Sequence, residues 1–389
     1  MPIINCETMK KSTVALIACD TYDEERVYVA VKAGIDLIGG IARFIKPGEK
    51  IVMKPSVLIG TRPESYVCTH PSVLKAVGRI LLEANAVVSC GDSSAFGTCK
   101  FNMKRAGLKQ AADELGIDLA DFDRGKVVTY KEALLNKRFV IANAVLEADG
   151  LVSLPKLKTH NLTRLTGAVK NQLGCVPGIR KGQHHARMPD PYHFATMLVD
   201  LTTLVRPRLY IMDGIMAMEG NGPRSGNPRK MGVLLFSSDP VALDAVACKI
   251  IDLDPSVVPT SEPGERAGLG TYHYENIEVI GEDIEAFIQK DFEVVRKHPI
   301  PATGGPIRKF IKGRISPRPT IDKTKCTSCG LCVRSCPVSP KAVHWHKGDE
   351  SRPPVYNYDH CIRCFCCQEL CPEGAITVKE TLLGRIFFR

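Results

Sequence analysis

From residue 12 onward, short β-branched runs alternate with longer stretches whose apolar residues recur at helical spacing. Runs of the first kind suit extended chain that buries side chains on a pleated surface, and stretches of the second kind suit helices with one apolar face. TVALIAC, KIVMK, VVSC, KVVTY, RFVIA, GLVSL, RLYIMD, MGVLLFS and NIEVI are expected as strands. EERVYVAVKAGIDLIG, PSVLKAVGRILLEAN, FNMKRAGLKQAADELG, YHFATMLVDLTTLV and DPVALDAVACKII are expected as helices, with Pro71, Asp190 and Asp239 at helix starts. Such alternation predicts an α/β domain with a largely parallel sheet flanked by helices. The rhythm stops near Lys297, which divides the chain into an α/β domain (1–297), a Pro/Gly-rich basic linker (298–319) and a small C-terminal domain (320–389).

The C-terminal domain reads CTSCGLCVRSCP from Cys326 and, after 23 further residues, CIRCFCCQELCP from Cys361. The spacing CxxCxxCxxxCP therefore occurs twice. Three thiolates on one tight loop can hold three corners of an iron–sulfur cube, and the fourth comes from the other motif in two-cluster proteins. This assigns Cys326, Cys329, Cys332 and Cys371 to one 4Fe-4S cluster, and Cys361, Cys364, Cys367 and Cys336 to a second. Pro337 and Pro372 suit the turn after each fourth cysteine, and Cys366 is an extra thiol, read as a small buried residue. Zinc sites favour two CxxC pairs at longer separation, so zinc is the weaker fit. The stretch from 320 to 379 resembles the bacterial-type two-cluster ferredoxin family, a small α+β fold, and the resemblance implies single-electron transfer at low potential.

Composition narrows the remaining choices. The chain has 389 residues, 44% of them hydrophobic, enough for two or three domains with a buried core. No apolar run approaches the 18 residues of a membrane span and MPIINCETMKKS has no apolar signal core, so the expected address is the cytoplasm. Seven of the 16 cysteines (Cys6, Cys19, Cys68, Cys90, Cys99, Cys175 and Cys248) lie outside the motifs without disulfide-like spacing, which suits a reducing, anaerobic setting. A net charge of +10 is compatible with several partners, but aromatics at 6% are not interleaved with basic residues, and no nucleic-acid module is visible. Residues 296–319 hold seven Lys or Arg and no acid, which reads as a solvated linker or as a docking segment for an acidic redox partner or anionic membrane.

Open α/β sheets bind ligands at the carboxyl ends of their strands. GLVSL runs into PKLKTHNLTRLTGAVKNQLGCVPG, placing Lys156, Lys158, His160, Lys170 and Asn171 after one strand end. Lys54, Asp92 and Asp213 follow three other strands, and the insert GCVPGIRKGQHHARMPDP carries His185 and Arg187. Parallel strands would bring these groups to one rim, where clustered lysines suit carboxylates or phosphates and a histidine can move protons. The candidate catalytic residues are His185, Lys170, Lys156, Lys158, His160 and Asp213. Simpler roles are expected for Asp239 (helix cap), Asp244 (support of the same helix), His184 (solvated neighbour), Cys175 (packing), and Gly220, Gly222 and Gly226 (turns), with Glu219 divided between site and structure. No GxGxxG or GxxxxGK[ST] occurs, so dinucleotide and P-loop sites have no motif support.

KPSVL, CGDSS, LPKLKTH, LTGAVKNQLGCVPG, GQHHARMPDP, DGIMAMEGNGP and SSDPVALDA, spread over residues 12–295, resemble the successive motifs of the family catalogued as domain of unknown function 362. That resemblance implies the α/β fold and the fused C-terminal ferredoxin, and little about the reaction. A distant likeness to the nickel-pincer lactate racemase group rests on fold-level analogy. The leading expectation is an iron–sulfur oxidoreductase that passes electrons from the two clusters to a small anionic substrate on the lysine rim, with Gln183–Pro191 forming part of the passage. The alternatives are an electron carrier docking on another redox enzyme, and a non-redox metal-dependent isomerase with structural clusters.

Overall fold

The computed structural model describes residues 11–178, 180–301 and 315–381. In chain order the α/β part runs β1 (Ser12–Ala18), α1 (Glu24–Leu37), β2 (Lys50–Pro55), α2 (Pro71–Glu83), β3 (Val87–Cys90), α3 (Cys99–Arg105), α4 (Leu108–Glu114), β4 (Asp118–Leu119), β5 (Gly125–Thr129) and β6 (Arg138–Ala142). It continues through α5 (Asn143–Leu146), β7 (Gly150–Leu154), β8 (Lys156–His160), β9 (Arg164–Leu165), α6 (Gly167–Asn171), α7 (Arg180–Arg187) and α8 (Pro191–Val205). Then come β10 (Leu209–Glu219), β11 (Asn227–Ser237), α9 (Pro240–Ile250), α10 (Ser261–Arg266) and β12 (Ile277–Gly281).

Among the described residues the sheet has ten strands, in the order β12-β1-β11-β10-β7-β2-β3-β4, with β8 beside β10 and β9 beside β8. Pairing along the main path is parallel except at β11, which is antiparallel to both β1 and β10. The cause is local: only residues 220–226 join β10 to β11, too few for the crossover a parallel neighbour needs. Every expected strand forms, but KVVTY and RFVIA pair with each other as β5–β6, outside the large sheet.

Helices cover both faces. On one side Val27, Val31 and Ile35 of α1 and Val73, Val77 and Leu81 of α2, spaced three to four apart, pack with Ile51, Met53 and Phe236. On the other, Ala242, Val246 and Ile250 of α9 pack on Leu157, Met212 and Leu235. Each such aliphatic side chain contributes on the order of 1.5–3 kcal/mol through burial. Asp190 and Asp239 cap α8 and α9, accepting backbone N–H groups ahead of a proline in the first turn.

Four expectations need correction. FNMKRAGLKQAADELG is two helices, because Gly107 sits at φ 71° between α3 and α4. PKLKTH is not a loop after a strand: Pro155 interrupts the chain, and β8 resumes beside β10. The breaker-rich insert contains α7. Asp244 does not serve its own helix but accepts the N–H groups of Ala168 and Val169 at the start of α6. Gly167 is required there, since it sits at φ 56° and a Cβ would run into the Asp244 carboxylate.

The C-terminal part has β13 (Arg318–Ile321), β14 (Val343–His344), β15 (Val355–Tyr356) and β16 (Ile376–Lys379). β13 pairs antiparallel with β16 and β14 with β15, and each cysteine motif leads into a short helix, Leu331–Ser335 or Cys366–Leu370. Of the linker expected at 298–319, residues 302–314 lie outside the described residues. Among the described residues no helix is long and apolar enough to cross a membrane.

Candidate functional site

Strand alternation orients the rim. Lys156, Lys158 and His160 occupy every second position of β8 and so share one face, while Leu157 turns into the core. Their surroundings then separate them. Lys156 lies 2.7 Å from Asp213 on the neighbouring β10, and both are fully buried. The Tyr22 hydroxyl donates to Asp213 Oδ1 at 2.8 Å and accepts from Lys156 Nζ at 2.8 Å, while the His70 N–H donates to Asp213 Oδ2 at 3.0 Å. A second buried pair joins Lys54 Nζ to Asp92 Oδ1 at 2.9 Å, and the Val57 N–H donates to Asp92 Oδ2 at 2.6 Å. Gly174 packs directly against this pair, where a Cβ would meet both charged groups.

Lys158, Lys170 and Lys181 differ from these pairs, because together they line a cavity whose only carboxylate among the described residues is Asp92, already taken by Lys54. Lys158 is buried and its Nζ donates to the Val67 carbonyl at 2.7 Å. Burial is the main cause that pushes its ammonium down to about 8. Lys181 is half-buried with its ammonium enclosed, donating to Ser93 Oγ at 2.8 Å and the Ser94 carbonyl at 3.1 Å. Burial pushes it down to about 7, opposed by Asp92. Burial also lowers Lys170, opposed by Glu369.

This cavity adjoins a larger cleft of ≈ 270 Å³ between the two parts of the chain. Lys170, Lys181, Gln183 and His185 stand on one side, and Arg334, Cys336, Pro337, Cys366 and Glu369 on the other. His185 is 4% exposed, stacks on Phe194 at 4.1 Å between ring centroids, and leaves its Nδ1 without a hydrogen-bond partner. Burial lowers His185 to about 4, so the ring is neutral near pH 7. His184 is buried against Phe139, not solvated as expected.

His160 does not face the cleft. Its Nδ1 accepts the N–H groups of Leu162 and Thr163, which puts the proton of the neutral ring on Nε2, 3.0 Å from Glu369 Oε1. Burial lowers His160 to about 4. Glu369 stays ionised, because His160, Lys170 and His185 outweigh the opposing effect of burial. The same helix docks further: Gln368 Nε2 donates to the Asn221 carbonyl at 2.9 Å and the Gly222 carbonyl at 3.1 Å, and Arg224 donates to the Leu370 carbonyl at 2.6 Å. Phe365 joins a cluster with Leu162, Val169 and Phe194.

Cys326, Cys329, Cys332 and Cys371 line one cavity of the C-terminal part, and Cys336, Cys361, Cys364 and Cys367 line another. Four thiols around each cavity is a donor set that fits a 4Fe-4S cluster. Of the residues anticipated on the rim, Lys158, Lys170 and His185 reach the cavities, whereas Lys156, Asp213 and His160 are committed to buried pairs. Lys181 and Glu369 escaped sequence reasoning. Lys181 lies in the same insert as His185, and Glu369 lies between the cluster cysteines Cys367 and Cys371, where nothing in the spacing singles it out. Glu219 accepts the Glu293 N–H at 3.0 Å and so belongs to structure. Cys175, Cys90 and Cys99 are buried thiols, each pushed up to about 12 by burial.

A family model described as domain of unknown function (DUF362) matches residues 51–249. This chain belongs to the DUF362 family. A 4Fe-4S dicluster model matches residues 318–372, so this DUF362 protein carries a two-cluster ferredoxin domain, and two 4Fe-4S clusters are its cofactors. It is 36% identical over 258 residues to a Synechocystis protein named thylakoid-associated protein sll1697, covering 66% of this chain and 80% of that one. A ferredoxin of Methanothermococcus thermolithotrophicus is 40% identical over 63 residues, 16% of this chain and 97% of its own length. The lactate racemase apoprotein of Thermoanaerobacterium thermosaccharolyticum aligns at a TM-score of 0.41 and 13% identity, over 61% of this chain and 56% of its own.

Proposed function

We propose that this protein is a cytoplasmic iron–sulfur oxidoreductase of reducing, anaerobic settings, in which residues 320–389 deliver electrons to a small anionic substrate held by residues 1–297. The observation that carries this reading is the shared cleft, where Lys170, Lys181 and His185 face Cys336 across one opening. When bound, the two clusters supply single electrons at low potential, and a pair of them can support a two-electron reduction. Cys326, Cys329, Cys332 and Cys371 would hold one cluster, and Cys361, Cys364, Cys367 and Cys336 the other. Lys158, Lys170 and Lys181 bind the anion, and the unpartnered Nδ1 of His185 orients it beside the Cys336 wall. Glu369 and His160 hold the ferredoxin helix in register with the rim. The electron donor is a low-potential redox partner protein, for which residues 296–319 offer a basic docking segment.

The test is an anaerobic redox titration followed by electron paramagnetic resonance, with and without phosphate. Phosphate should shift the midpoint of one cluster in the native protein and not in Lys170→Met or His185→Phe, with iron content unchanged at about eight atoms per chain. An identical titration with and without the anion would favour a carrier that docks on another enzyme. Cys371→Ser should disturb the cluster held by Cys326. Loss confined to the Cys361 cluster would refute the ligand assignment.

A further inference from the structure

The inner cavity holds more unfilled polar capacity than its lysines alone. Thr166 is 6% exposed, lines the cavity, and its Oγ1 has no hydrogen-bond partner. Ser93 Oγ accepts from the Gly178 N–H at 2.9 Å and from Lys181 Nζ at 2.8 Å, so its own O–H remains available as a donor into the same space. Lys158 and Lys181 donate only to neutral oxygens. Lys170 already faces the ionised Glu369, so a monoanion would leave one of Lys158 and Lys181 buried without a counter-charge, whereas a tetrahedral dianion matches both and offers an acceptor lone pair to each lysine and to both hydroxyls.

The outer chamber differs in character. Leu58, Phe96, Leu173 and Leu370 form much of its wall, and its ≈ 270 Å³ is more than a free oxyanion fills. Pockets close to this size, from about 300 Å³ upward, hold organic ligands. Leu58, Lys170, Leu173 and Lys181 border both spaces, so the two chambers adjoin along these residues.

Resting on the reading that an anion binds in this cleft, we propose that its ligand is an organic phosphate-class dianion. The head sits among Lys158, Lys170, Lys181, Thr166 and Ser93, and an apolar body extends past His185 toward the Cys336–Cys366 wall. This excludes a bare inorganic oxyanion as the natural ligand. It also adds Thr166 and Ser93 as residues that recognise the head.

The test is anaerobic calorimetry on the cluster-loaded protein at constant ionic strength, with phenyl phosphate, inorganic phosphate and benzoate as probes. Phenyl phosphate should bind at least about tenfold more tightly than inorganic phosphate, through burial of the ring, and benzoate more weakly than phenyl phosphate. Thr166→Val, which removes only a hydroxyl, should weaken phenyl phosphate and inorganic phosphate alike by about tenfold. Gln183→Trp, at an exposed residue that borders only the outer chamber, should weaken phenyl phosphate and spare inorganic phosphate. Equal affinity for phenyl and inorganic phosphate would overturn the organic body. Benzoate binding as tightly as phenyl phosphate, or binding indifferent to Thr166→Val, would overturn the dianion head. Phenyl phosphate that binds as described but leaves both cluster midpoints unmoved would support this site and count against electron delivery to it.

Discussion

Lys156 and Lys158 are two residues apart on β8, point to the same side and are both buried, yet they differ in what stands opposite the ammonium. Lys156 has Asp213 at 2.7 Å and Tyr22 at 2.8 Å. Lys158 has a single backbone carbonyl and an open cavity. A buried charge with a full set of partners belongs to the scaffold, and one without them is a place where a ligand completes the structure. Lys54, paired with Asp92, falls with the first, and Lys181 with the second. One rim therefore contains a sealed half and a receptive half.

The sharpest way to break this distinction is to unseal the first half. Asp213→Ala leaves the Lys156 ammonium buried without its counter-charge and should destabilise the protein by about 3–5 kcal/mol in urea unfolding. A loss below about 1 kcal/mol would mean that Lys156 is no more committed than Lys158.

A smaller change is expected from the receptive half. Lys158→Met removes an uncompensated buried charge while keeping most of the volume, so the ligand-free protein should change by less than about 1 kcal/mol or become more stable. Phosphate at a hundred times its Kd should stabilise the native protein by about 2.7 kcal/mol, and the variant should lose most of that gain. If Lys158→Met proves as damaging as Asp213→Ala, thermal unfolding of the two would coincide and the comparison fails.

The smallest effect is the pH dependence of the ligand-free protein. Lys158 and Lys181 are pushed down to about 8 and about 7 from 10.5, so between pH 7 and 10.5 the unfolded chain binds more protons than the folded one. Their cost is full at low pH and fades as pH rises, so these two lysines should make stability climb across that window. Phosphate should flatten the slope, because an anion favours the charged amines. His160 and His185 act in the acid range: lowered to about 4 from 6.5, they should withdraw stability as pH falls from 6.5 toward 4. Tyrosine and tryptophan fluorescence over a pH series would read both limbs. A slope that phosphate does not change would place the lysines outside the anion site.

Much of this was legible before the fold was known. Period and composition identified every strand of the expected set, and the repeated CxxCxxCxxxCP pointed to two clusters, because such signals are local or depend on spacing alone. That Lys156, Lys158 and His160 share a face was not legible, because KLKTH was expected after a strand end and only the structure shows it as β8. Nor was what lies opposite that face. Asp213 reaches Lys156 across 57 residues because β8 lies beside β10, and Glu369 reaches His160 because a helix of the other domain docks there. Thr166 and Lys181 look like ordinary polar residues in sequence, and only packing gives one an orphaned hydroxyl and the other an enclosed ammonium. Local pattern determined which groups arrive at the rim. Tertiary structure decided which of them are neutralised, since a buried charge is defined by its partners, and these come from distant parts of the chain.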